Sequence, residues 1–121
     1  MKLKGSMLDA DGHLIERDEE LLEYMEAPYK GNNTLLGFPF FPTLDGYQRG
    51  AIMARLGIHK GYTINAKTWL DFLDGTGIES TVLYPTAGLA FNMIQDPTWA
   101  VPLARAYNNW FTDKFHKASP Q

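Results

Sequence analysis

The spacing of apolar residues changes period twice between positions 65 and 115, and this narrows the fold more than any other feature. Ala66, Trp69, Leu70 and Leu73 recur at three- and four-residue intervals behind Asn65, a residue suited to an N-cap, and Gly75 or Gly77 follows to end the helix through a left-handed residue. The period then becomes that of a strand. Ile78-Glu79-Ser80-Thr81-Val82-Leu83-Tyr84 is short, rich in β-branched residues and bounded by Gly77 and Pro85, which predicts a largely buried strand. After a loop over 86–95, Asp96-Pro97 reads as N-cap and first helical residue. Trp99, Leu103, Tyr107, Trp110, Phe111 and Phe115 then fall along one face. Pro102 removes one hydrogen bond inside this helix, so a kink is expected near its start. Helix, strand, helix with short joints predicts an α/β chain with parallel strands.

The first half is less regular. Met7-Leu8-Asp9-Ala10-Asp11 predicts a brief strand that breaks at Gly12-His13, and the stretch from Asp18 to Met25 predicts a two-turn helix, with Asp18 as N-cap candidate and a halt before Pro28. Over 29–50, glycines, asparagines and prolines alternate with Phe38, Phe40 and Phe41, which predicts a long loop that packs over something rather than a solvated linker. A turn or two of helix is expected over 51–56. Only two strands are legible, and a two-stranded parallel sheet cannot cover its own faces and edges. The chain therefore reads as part of a larger sheet.

Composition excludes several classes. With 121 residues there is room for one domain. Eleven Lys and Arg against 14 Asp and Glu give a net charge of -3, which draws the surface towards neither nucleic acid nor anionic lipid. No cysteine is present, so disulfides, thiolate metal sites and cysteine nucleophiles are excluded. Metal chemistry is left to 3 His and the carboxylates. No secretory signal or bilayer-length apolar run occurs, and a soluble, cytoplasmic protein with no membrane partner is expected.

The residues that could carry chemistry are few. Asp9-x-Asp11-x-His13 sets alternate side chains on one side of a strand end, where carboxylate and imidazole can converge on one divalent cation; a surface turn with solvated acids fits the same spacing. His59 lies in a Gly-rich loop and His116 beside Lys114 and Lys117, and both read better as solvated residues than as ligands. Tyr84-Pro85-Thr86 follows the best strand at its carboxyl end, where parallel α/β folds place their sites, though proline as a strand stop beside a core tyrosine explains it equally well. The aromatic face of the last helix has core spacing. No phosphate loop or nucleophile elbow is present.

Three blocks, Leu8-Asp9-Ala10-Asp11-Gly12-His13-Leu14-Ile15-Glu16, Gly77-Ile78-Glu79-Ser80-Thr81-Val82-Leu83-Tyr84-Pro85-Thr86 and Ala104-Arg105-Ala106-Tyr107-Asn108-Asn109-Trp110, together resemble the amidohydrolase-related metal-dependent family. That family contains aminocarboxymuconate semialdehyde decarboxylase and the resorcylate decarboxylases. The resemblance implies that the chain is the N-terminal portion, over 1–121, of a (β/α)8 TIM barrel with a long insertion at about 29–64. It further implies a divalent metal, Zn or Mn, held by Asp11 and His13, where Asp-x-His replaces the family's more usual His-x-His. Tyr84 and Thr86 would close the second strand beside the pocket, and the segment 38–43, with Phe41, would overhang it. The remaining ligands and the catalytic acid or base would come from later strands.

The expected activity of the parent enzyme is hydrolysis or decarboxylation of a small organic, carboxylic or aromatic acid, and the 121-residue chain alone is expected to show no turnover. A non-catalytic alternative is a small α/β module that completes its sheet by homo-oligomerisation or by docking on a partner, with the Phe38 to Phe41 loop as contact.

Overall fold

The computed structural model describes residues 6–43 and 64–119. The turns expected over 51–56, His59 and much of the 29–64 insertion lie outside them. Two strands, β1 (Leu8–His13) and β2 (Ser80–Tyr84), pair in parallel. The helices are α1 (Asp18–Tyr24), α2 (Ala66–Thr76) and α3 (Pro97–Phe111). Two 3-10 segments, Asn33–Gly37 and Ala87–Met93, and a π-turn, Thr112–His116, complete the elements. This is a mixed α/β arrangement with a two-stranded parallel sheet among the described residues. No helix of those residues is long and apolar enough to cross a membrane.

The strand pair is irregular at one point. Leu8 and Asp9 face Ser80 and Thr81, but Gly12 and His13 face Leu83 and Tyr84, so Ala10 and Asp11 together oppose Val82. One residue too many on β1 makes a bulge, and bulges re-aim the side chains that follow. Gly12 is buried under β2: a Cβ there would lie 2.5 Å from Thr81 Oγ1 and 3.0 Å from the Val82 carbonyl oxygen, so only glycine passes. β2 is less buried than its composition predicts. Leu83 packs on the core, whereas Val82 and Tyr84 are exposed on the other face. No second layer covers that face among the described residues, and a parallel sheet ordinarily has both faces covered.

Local sequence accounts for most helix ends. At α2, the Asn65 side chain accepts the Thr68 N–H while Thr68 Oγ1 accepts the Asn65 N–H, a reciprocal capping box, and Gly77 closes the helix at φ 73°. At α3, Asp96 accepts the Thr98 N–H at 2.9 Å ahead of Pro97. At α1 the N-cap is Arg17, without a side-chain bond, and not Asp18. Asp18 is the first helical residue. Its carboxylate reaches instead across the chain to accept the Phe40 N–H at 3.1 Å, because Phe40 and Phe41 tuck beneath it into the core.

The core lies between α1, α3 and the loop over 25–43. Leu14, Leu21, Leu22, Met25, Phe40, Phe41, Leu103, Ala106, Trp110 and Phe115 form one buried cluster, with Trp99, Tyr107 and Phe111 partly buried against it. The aromatic stripe of α3 is thus core, as its spacing predicts. Of the three loop phenylalanines two pack and Phe38 stays 74% exposed.

α3 continues through Pro102, which cannot donate to Thr98 O four residues earlier. That carbonyl accepts the Tyr29 hydroxyl at 2.8 Å instead. Beside it Trp99 Nε1 donates to the Phe40 carbonyl at 3.1 Å, and its ring meets those of Tyr29 and Phe40 edge-on. The loop therefore supplies the bond that proline withholds.

Burial raises the Asp18 carboxyl above its ordinary 3.8; the charges of Glu19 and Glu16 add to the rise and the Phe40 N–H opposes it. A raised value means that the folded state keeps this proton longer than the unfolded chain. The stability so contributed is full below pH 3.8 and is lost as pH rises through the folded value. Asp18→Asn retains an acceptor for Phe40 but cannot ionise. Urea midpoints should therefore show the variant gaining on the wild type as pH rises above 3.8. An unchanged difference would mean that the buried charge costs nothing.

Candidate functional site

Because β1 and β2 run parallel with His13 opposite Tyr84, their carboxyl ends lie side by side. The Leu14 N–H donates to the Tyr84 carbonyl at 2.8 Å and extends the pairing one step beyond the strands. Pro85 then turns the chain, and its carbonyl oxygen meets His13 Nδ1 at 2.9 Å. A carbonyl can only accept, so Nδ1 carries a proton, and in the neutral ring Nε2 is the nitrogen that holds the lone pair. Nε2 faces Asp11 Oδ1 at 3.5 Å. The Asp11 side chain is 88% exposed and that of His13 37%, so the pair opens to solvent at the strand ends.

Asp9 is turned to other work. It accepts the Thr81 hydroxyl at 2.8 Å and the Asp11 N–H at 3.2 Å, which braces the bulge and leaves Asp11 and His13 as the pair that converges. Among the described residues no group of three or more His, Asp or Glu side chains is arranged to hold a metal ion. His116 is exposed at the end of the π-turn that follows α3.

The other expected site residues divide between two places. The Tyr84 ring lies beside His13, with ring centroids 6.2 Å apart. Thr86 Oγ1 is 3.3 Å from His13 Nδ1. Phe41 stands behind Pro85, in an apolar pocket of about 210 Å³ with Gly88, Phe91, Ala104, Tyr107 and Asn108. Tyr84 and Thr86 do not line that pocket. A larger open cavity of about 650 Å³ lies elsewhere, between the end of α1 and α3, where Arg105 pairs with Glu26 at 2.9 Å. Neither His13 nor Asp11 borders it.

The residue that the sequence conceals is Glu16. Its carboxylate accepts the N–H groups of Thr86 at 2.9 Å, Ala87 at 2.9 Å and Gly88 at 3.2 Å, and the Tyr107 hydroxyl at 3.2 Å. These amides open the 3-10 segment Ala87–Met93, which has no capping side chain of its own. Gly88 is required there, since a Cβ would lie 2.8 Å from Pro85 Cβ and 3.3 Å from Glu16 Oε1. Burial, chiefly, and the Glu16 charge push the Tyr107 hydroxyl far above its ordinary value, so it stays a donor. The only sequence cue to this arrangement is an acid three residues past a strand end, with a glycine three past the proline that ends the next.

Comparison with family models and with curated proteins finds no match to this chain.

Proposed function

We propose that this chain is the opening portion of a metal-dependent hydrolase or carboxy-lyase built on a (β/α)8 barrel, acting on a small organic acid, with Asp11 and His13 as two of the metal's ligands. One observation carries the reading. With its Nδ1 proton committed to Pro85, the neutral His13 ring turns a lone pair towards a carboxylate oxygen 3.5 Å away. Two electron-rich atoms so placed repel unless a proton or a cation lies between them. Two donors of one zinc ion, each about 2.0–2.2 Å from it at a tetrahedral angle, stand about 3.3–3.6 Å apart, so the spacing fits. The position, at the carboxyl ends of parallel strands, is where such barrels carry their chemistry.

When bound, a divalent ion polarises a carbonyl or carboxylate or lowers the pKa of water. The chain's own contribution is to hold His13 in one tautomer and to leave Asp11 in solvent, where it stays reachable. The further ligands and the proton-transfer group would come from other strands of the barrel. Cytoplasmic location and self-association accompany this proposal.

A second reading, a non-catalytic module that completes its sheet against a second copy, draws on the exposed Leu8, Val82 and Tyr84. Metal binding separates the two. Zn²⁺ titration followed by NMR should shift the His13 and Asp11 signals together. His13→Ala should weaken binding by more than the roughly 10- to 100-fold that loss of an outer-shell partner causes. A wild-type chain whose His13 ignores Zn²⁺ while sedimenting as an oligomer would replace the enzyme reading with the module.

A further inference from the structure

We propose that Glu16 is a positioning residue for His13: by gathering the Thr86, Ala87 and Gly88 amides it fixes the turn whose Pro85 carbonyl decides which imidazole nitrogen carries the proton. This rests on reading His13 as a metal ligand. The chain of contacts is short. Glu16 holds the amides of 86–88, the first of these follows Pro85 directly, and Pro85 O accepts from His13 Nδ1 at 2.9 Å. Glu16 does not touch His13; its effect passes through backbone.

The geometry is specific to a carboxylate. Both Oε1 and Oε2 accept from Thr86, at 2.9 and 3.2 Å, while Ala87 takes Oε2 and Gly88 takes Oε1. Every partner is a donor, so a glutamine side chain, which presents one oxygen and one NH₂, leaves an amide facing a donor. Consecutive backbone N–H groups of this kind form a concavity for negative charge, and here the chain fills it from within. Tyr107 seals the outer side with its own O–H. Without the carboxylate these amides seek water, the turn loosens and Pro85 O is free to leave Nδ1. The neutral ring then reverts to Nε2–H, the form preferred in water, and the donor facing Asp11 is lost.

The test is the imidazole ¹⁵N spectrum of the metal-free chain at about pH 8.5, above the titration range of an ordinary imidazole. Wild-type His13 should be the Nδ1–H tautomer, and Glu16→Gln should move it towards Nε2–H while the Trp110 and Leu103 signals keep their folded positions. Zn²⁺ affinity should fall by about 10-fold, as for other residues that orient a ligating histidine. Tyr107→Phe, which removes only the outer bond, should leave the tautomer unchanged. If Glu16→Gln loses stability but keeps Nδ1–H, Glu16 is merely structural and the proposal fails. If that variant does not fold, the wild type decides: amides 86–88 that exchange without protection, or a His13 already Nε2–H, overturn the proposal. A tautomer that obeys Glu16 in a chain that ignores Zn²⁺ would instead uphold the positioning and sink the metal reading.

Discussion

Trp110→Ala should lower the unfolding free energy by about 3–5 kcal/mol, the largest stability effect of any truncation among the described residues. Trp110 is 1% exposed and is the largest side chain buried outright among the described residues. Its ring meets Tyr107 at 5.4 Å and Phe115 at 5.5 Å, both edge-on, so truncation removes area and two aromatic contacts together. Its Nε1 donates to Glu20 Oε2 at 2.9 Å and ties α3 to α1. A domain of ordinary stability has about 5–15 kcal/mol in all, so the variant should be partly unfolded in buffer. Urea denaturation measures it. Trp110→Phe, which keeps a ring but loses the donor to a charged acceptor, should cost the smaller part. A loss below about 1 kcal/mol for the alanine variant would show that the α1–α3 contact is not the centre of the core.

Leu14→Ala should follow at about 2–5 kcal/mol. Leu14 is 1% exposed, and it directly follows His13, with its N–H on the Tyr84 carbonyl. Leu103, 0% exposed, offers the matched control, because it is equally buried but stands on α3 rather than on the chain that continues β1. The two alanine variants should lose comparable stability, while only Leu14→Ala broadens the His13 signals. Equal disturbance of His13 by both would mean that the strand ends feel the core as a whole rather than through β1.

What could be read from the sequence was what is decided locally. Asn65, Gly77, Asp96 and Pro97 mark helix ends with their immediate neighbours, and each did so in the structure. The parallel pairing of two strands followed from the intervening helix. The bulge at Ala10 and Asp11 was illegible, because it is a relation between β1 and the residues of β2 some 70 positions away. Asp18 was mistaken for a cap since its true partner, Phe40, lies across the fold. Glu16 and Tyr107 were invisible as a pair for the same reason: 91 residues separate them. In the candidate site, strand spacing offered Asp9, Asp11 and His13 together and the family resemblance singled out the last two, but the tautomer of His13 depends on a turn reached only through the folded sheet.

The bond from Tyr29 to Thr98 bears on the order in which the molecule assembles. Helices usually complete their early turns within nanoseconds to microseconds from neighbouring residues alone. The opening of α3 has one bond that cannot form this way, because proline leaves the Thr98 carbonyl without its helical donor and the hydroxyl that replaces it stands 69 residues upstream. Closing a loop of that length carries an entropic cost that must be met before the contact rewards it. Docking of the loop over 25–43 and consolidation of the start of α3 are therefore one event. The sequence's most recognisable helix begins at its least autonomous point, and its nucleus belongs at the Leu103 to Trp110 end.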